Sequence, residues 1–278
     1  MSVPVITDGA WGTELQARGL DHGECPDAWN LSNPDKVRDV AAAYVAAGSE
    51  IILTNTFRAN RIALAGYGLE AQVDAINRAG VEISLQAAGS QARVFASVGP
   101  SGKLIAAGEI AEEELRAAFE EQARALAGAG AHALVIETMG DLEEASIAVD
   151  AARATGLPVV ACAVFDSGRN KDRTITGATP EKAAARLTAA GASIIGANCG
   201  CGIEGYVDIC GRLRAATDRP IWIKANAGLP EMVDGRPIYR MTPDEYAAHA
   251  TKLVEAGASY IGGCCGTNPA FIHALRRT

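Results

Sequence analysis

Along nearly the whole chain, short β-branched runs alternate with longer stretches whose apolar positions repeat at helical spacing. The helical stretches close on Ala-Gly and pass at once into an apolar run: Ala47-Gly48 before Ile51-Ile52-Leu53, Ala129-Gly130 before Leu134-Val135-Ile136, Ala190-Gly191 before Ile194-Ile195, and Ala256-Gly257 before Tyr260-Ile261. Glycine at a helix end adopts the left-handed conformation that stops the helix, and a continuous apolar run suits a strand buried on both faces. Strands are expected near residues 3–7, 50–54, 93–98, 133–137, 158–164, 193–197, 220–225 and 259–263. Helix starts are marked at Asn33-Pro34-Asp35, Thr179-Pro180-Glu181, Thr242-Pro243-Asp244 and Asn268-Pro269, each a capping residue followed by proline. Eight β-then-α units predict an α/β fold of the (β/α)8 TIM-barrel type, and with no linker in view residues 1–278 are expected to form one domain.

Composition narrows the function. A chain of 278 residues, 49% hydrophobic and 21% charged, can bury a large core and is not expected to be disordered. A net charge of −8 with scattered Lys and Arg argues against nucleic acid and anionic membranes as partners. Val3 to Ile6 runs into Asp8-Gly9 as a first strand would rather than as a signal segment, and no apolar window reaches membrane-spanning length, so the expected location is the cytoplasm. Seven cysteines then read as thiols, metal ligands or catalytic groups rather than as disulfides.

Barrel enzymes place their chemistry at the C-terminal ends of the strands. Those ends carry Asp8-Gly9, Thr54-Asn55-Thr56, Glu137-Thr138, Asn198-Cys199, Lys224-Ala225-Asn226 and Cys264-Cys265. Adjacent residues on a regular strand point to opposite faces, but the glycines around Cys264-Cys265 let the backbone leave strand geometry there. Three thiols at one rim would leave a tetrahedral zinc with an open fourth position. Ordinary packed cysteines are the alternative, and Cys201, on the same side as Cys199 by alternation, competes with it as a ligand. Cys162 and Cys210 fall in a strand and a helix and read as small buried hydrophobes.

The blocks Asp8-Gly9-Ala10-Trp11-Gly12-Thr13, Thr54-Asn55-Thr56-Phe57, Ile136-Glu137-Thr138, Gly196-Ala197-Asn198-Cys199, Asn226-Ala227-Gly228-Leu229-Pro230 and Gly262-Gly263-Cys264-Cys265-Gly266-Thr267 together resemble the homocysteine S-methyltransferase family. The resemblance extends over almost the whole chain, and two of the blocks look most like the homocysteine-binding module of cobalamin-dependent methionine synthase. It implies Zn2+ on Cys199, Cys264 and Cys265, with Asn226 at the fourth position when no thiol is bound and Cys201 outside the ligand set. It also implies that Asp8 and Glu137 meet the acceptor's ammonium. Backbone N–H groups near Gly9 and Ala10 and the Thr56 hydroxyl are expected near its carboxylate or the thiol pocket, and Asn198 braces the site. The implied activity is zinc-dependent methyl transfer to homocysteine, giving methionine. Coordination would hold the acceptor as a thiolate at neutral pH, and a zinc already carrying three thiolates would bind it loosely enough to attack a methyl group.

The sequence does not fix the methyl donor. A sulfonium such as S-methylmethionine is favoured, with a separate methyl-corrinoid protein or betaine as alternatives; Trp11, Phe57 and Trp29 are the aromatic candidates for holding a cationic donor. Trp11 itself departs from the apolar residue that family members often carry there. Gly200-Cys201-Gly202-Ile203-Glu204-Gly205 fits a dinucleotide pattern but lies in the sixth unit, and the next strand ends in Lys224 rather than an acid. Two rivals follow: a barrel isomerase or lyase acting on a phosphorylated substrate, and a non-catalytic zinc or corrinoid-partner subunit. The histidines His22, His132, His249 and His273 sit away from the expected rim, and the charged loop from Ser167 to Asp172 is a candidate lid or partner surface.

Overall fold

The structure is a computed structural model that describes residues 3–233 and 236–277. Eight parallel strands form one sheet: β1 (Val5–Ile6), β2 (Ile51–Ile52), β3 (Arg93–Val98), β4 (Ala133–Met139), β5 (Val159–Ala163), β6 (Ile194–Gly202), β7 (Ile221–Asn226) and β10 (Ala258–Gly263). Between β7 and β10 the chain adds an antiparallel hairpin, β8 (Glu231–Val233) and β9 (Arg236–Ile238). The parallel order is β1-β10-β7-β6-β5-β4-β3-β2, and a parallel bridge from Thr7 to Ile51 joins the two ends. The result is the (β/α)8 barrel that the alternation predicts.

The Ala-Gly endings work as expected. Gly48, Gly130, Gly191 and Gly257 have φ between 92° and 103°, a region in which a side chain would be strained. The marked helix starts hold as well: Pro34–Ala46, Pro180–Ala189, Pro243–Glu255 and Pro269–Leu275 all begin on the expected proline. Thr242 and Glu245 form a reciprocal capping box, whereas Asn33 makes no side-chain cap.

A plug of side chains closes the barrel interior below the mouth. Trp222 stacks on Phe95 at 6.0 Å and tilts against Tyr260 at 5.3 Å, among Ile51, Leu53, Val135, Val160 and Cys162. The interior is thus a packed core and not a pore, and the strand ends that carry the expected chemistry open at its C-terminal mouth. Cys162 and Cys210 are buried with their thiol pKa values raised by desolvation, as small hydrophobes should be. No helix among the described residues is long and apolar enough to cross a membrane.

Two strands lose regularity where they enter the mouth. The β4–β5 register shifts between Ile136 and Met139, with Thr138 at φ 62°, and the β6–β7 register shifts between Cys199 and Gly202, with Cys199 at φ 63°. Such irregularities re-aim side chains, and here they fall on residues expected to carry the chemistry. Gly202, in the dinucleotide-like pattern, has a structural explanation: a Cβ there would lie 2.8 Å from the Gly228 Cα. Its glycine permits close approach of two strand ends.

Candidate metal centre and acceptor pocket

The Sγ atoms of Cys199, Cys264 and Cys265 lie within 4.8 Å of one another at the ends of β6 and β10, with Cys199 and Cys265 3.9 Å apart. Adjacent thiols converge because the chain turns as it leaves β10. Cys264 N–H donates to the Ala225 carbonyl at 2.7 Å, Ala227 N–H donates to the Cys265 carbonyl at 3.0 Å, and the Thr267 hydroxyl closes the turn on the Cys264 carbonyl at 2.8 Å. Hydrogen bonds from the Cys264 and Cys265 thiols, helped by Gly200 N–H and the Asn226 amide, outweigh burial and lower the Cys199 pKa. Cys201 is directed elsewhere, toward the carbonyls of Phe165 and Lys171.

Asn226 supplies a further donor atom. Its Nδ2 donates to the Gly200 carbonyl at 2.8 Å, while its Oδ1 is buried and has no hydrogen-bond partner. A buried oxygen left unpaired calls for an explanation, and this one belongs to a residue that hydrogen-bonds the Cys199 thiol. Three soft sulfurs and one oxygen suit a zinc-type ion.

Outer partners hold the cluster in place. Asn198 donates from Nδ2 to Thr138 Oγ1 at 2.7 Å and to Glu137 Oε2 at 3.2 Å, approaches Cys264 Sγ at 3.9 Å, and accepts from Thr138 N–H at 2.7 Å. The Tyr206 hydroxyl fixes its backbone carbonyl. Tyr239, the first residue after the hairpin, lies over Gly266 and hydrogen-bonds the Cys265 thiol. Sequence reasoning missed Tyr239, because nothing in the local pattern marks a residue beyond an irregular hairpin as facing a strand end.

Beside the thiols opens a cavity of about 310 Å³, lined by residues that include Trp11, Asp27, Phe57, Glu137, Lys224 and the three cysteines. Glu137 is 8% exposed; its Oε1 accepts from Ser97 Oγ at 2.5 Å. Burial raises its pKa, opposed by Lys224 and the Ser97 hydrogen bond. Trp11 and Phe57 line the cavity, whereas Trp29 packs beneath the Lys36 ammonium.

Several expected residues sit differently. Asp8 is fully buried; its Oδ2 accepts from Trp11 Nε1 at 2.7 Å and from Leu53 N–H at 2.6 Å, and its Oδ1 accepts from Lys224 Nζ. Gly9 and Ala10 line the cavity, but Ala10 N–H already donates to Thr267 Oγ1 at 3.2 Å. Thr56 is a correction: it is fully buried, donates to the Ser97 carbonyl at 2.7 Å, and turns its methyl toward Gly80 on the helix behind, outside the cavity lining. A β-branched residue at a strand end braces its neighbours when its side chain faces outward. Sequence reasoning placed Lys224 at a strand end of the rim but gave it no role in the site. Burial opposes its ammonium, yet Asp8 and Glu137 outweigh that and raise its pKa.

Comparison with known proteins agrees with this arrangement. The sequence model described as Homocysteine S-methyltransferase matches residues 5–278. This chain belongs to the homocysteine S-methyltransferase family. Methionine synthase of Mycobacterium tuberculosis is 32% identical over 295 residues, and that of Mycobacterium leprae 29% over 292. Each alignment takes in 98% of this chain and 24% of the relative, so the chain spans about a quarter of the length of these synthases. Among solved structures, the metallated form of the homocysteine methyltransferase MmuM from Escherichia coli superposes with a TM-score of 0.83 at 26% identity, covering 100% of this chain and 97% of that one. A phosphonomutase from Burkholderia cenocepacia, at 16% identity and a TM-score of 0.52, shares the fold alone. Family membership thus displaces the isomerase or lyase expectation.

Proposed function

We propose that this member of the homocysteine S-methyltransferase family transfers a methyl group to the thiol of homocysteine, giving methionine, with Zn2+ held by Cys199, Cys264 and Cys265. The carrying observation is the convergence of those thiols beside a cavity, next to the unpartnered Asn226 Oδ1. Bound zinc would supply the positive charge that keeps an acceptor thiol deprotonated near neutral pH. Asn226 is the group that an incoming thiol would displace.

The chain's own residues account for the rest. Glu137, buried and braced by Ser97 and Asn198, offers an anionic partner for the acceptor's ammonium. Asp8 acts through Lys224, whose ammonium it holds. Asn198 ties Glu137 to Cys264, so the group that binds the amino acid and the group that orients the sulfur share one brace. The plug beneath the mouth excludes water from below.

For the donor, the reading is a small sulfonium such as S-methylmethionine, supported by Trp11 and Phe57 in the cavity wall, whose ring faces suit a cation. Likeness to methionine synthases favours a second reading, a methyl-corrinoid protein as donor; betaine is a third. Assaying methionine from homocysteine with S-methylmethionine, methylcobalamin or betaine, and metal content on the same sample, tests the proposal. About one zinc per chain and turnover with one donor supports it. Homocysteine methylation retained by zinc-free Cys265→Ser overturns the role of the metal.

A further inference from the structure

We infer that Lys224 recognises the carboxylate of the acceptor amino acid, making it a specificity-determining residue of the pocket. The inference rests on the methyltransferase reading above and names how that site selects its acceptor.

Lys224 is 2% exposed and lines the same cavity as Glu137 and the three thiols. An ammonium carries three donors. Among the described residues its hydrogen bonds use one, to Asp8 Oδ1. A cation taken out of water with donor capacity left over is costly unless a ligand completes it.

Two other candidates for the carboxylate are already committed. Ala10 N–H is spent on Thr267 Oγ1, and Thr56 is turned away behind its strand. Asp8 cannot substitute for Lys224, being an anion with donors on both oxygens.

Charge makes the same assignment. Asp8, Lys224 and Glu137 together carry −1 when ionised, and a zwitterion placed among them completes an alternating series: Asp8 carboxylate, Lys224 ammonium, acceptor carboxylate, acceptor ammonium, Glu137 carboxylate. Every like-charged pair is then separated by an opposite charge. A thiol bearing only an ammonium would leave the Lys224 donors unmatched, and one bearing only a carboxylate would leave Glu137 without its cation. A buried polar group left unpaired by an analogue is a strong source of discrimination.

Binding is measured by calorimetry on the zinc-loaded protein with three thiols: L-homocysteine, 3-mercaptopropylamine, which lacks the carboxylate, and 4-mercaptobutyrate, which lacks the ammonium. In Lys224→Met, homocysteine and 4-mercaptobutyrate should weaken by roughly 10- to 100-fold, the range for a charged hydrogen bond, while 3-mercaptopropylamine should change by less than about threefold. Because Lys224→Met leaves Asp8 buried without its cation, the double variant Asp8→Asn/Lys224→Met is measured beside it. It should recover thermal stability and still fail to distinguish homocysteine from 3-mercaptopropylamine. Uniform weakening of all three thiols in the folded double variant, or unchanged homocysteine binding, overturns the inference, as does a wild-type protein that binds homocysteine no better than 3-mercaptopropylamine. Carboxylate-dependent binding without methyl transfer would instead uphold Lys224 and remove the methyltransferase reading.

Discussion

Single residues in this protein carry more than one demand, and Asp27 shows the cost. It is 2% exposed in the pocket wall, where its Oδ1 accepts from Arg58 N–H at 3.1 Å, and burial pushes its pKa up from 3.8 to about 6. The folded chain therefore holds a proton on Asp27 between about pH 4 and 6 that the unfolded chain releases, so stability falls as pH rises across that window. Asp27→Asn keeps an acceptor for Arg58 and removes the buried charge. It should be more stable than wild type at pH 7 by on the order of 2–3 kcal/mol and about equal at pH 4, read from denaturant unfolding at both values. Nothing in the sequence singled out Asp27, whereas the three thiols were legible because glycines flank them at predicted strand ends. Asp8 and Glu137 were equally legible as positions. What could not be read was their company: the pairing of Asp8 with Lys224 joins residues 216 apart in sequence.

At the scale of elements, the regular parts followed from periodicity and the irregular parts did not. Thr242 before Pro243 announces a helix start in sequence, the structure adds its capping box with Glu245, and Thr242→Ala should cost about 1 kcal/mol in thermal or denaturant unfolding without altering metal content. The hairpin of β8 and β9, by contrast, lies where only a loop would be inferred, because strands of three residues leave no alternation to detect. Its contribution is to deliver Tyr239 to Cys265. Tyr239→Phe removes that hydroxyl while keeping the ring over Gly266, and zinc affinity measured against a competing chelator should fall about tenfold, the lower end for an outer partner of a ligand. The breaks in β4 and β6 were likewise hidden: the expected strands near 133–137 and 193–197 run on to Met139 and Gly202 through residues with left-handed backbone.

Over the whole molecule, closure of the barrel and filling of its interior decide where function can sit. Trp222, fully buried at the centre of the plug, should cost about 3–5 kcal/mol when replaced by alanine, measured by denaturant unfolding. The seam between β1 and β2 is a thin joint, since each is two residues long and they meet through one bridge, the reciprocal hydrogen bonds of Ile6 and Glu50, and the Ser49 hydroxyl on the Thr7 carbonyl. Asp8 reinforces that seam from above: it leaves β1, takes the Leu53 N–H beyond β2, and holds Lys224 on β7 from across the mouth. The carboxylate that latches the barrel is thus also the one that holds the cavity-lining Lys224. Occupancy should then register as stiffness, with the Leu53 amide exchanging its hydrogen for deuterium more slowly when homocysteine is bound while amides in the helix Pro243–Glu255 keep their unliganded rates.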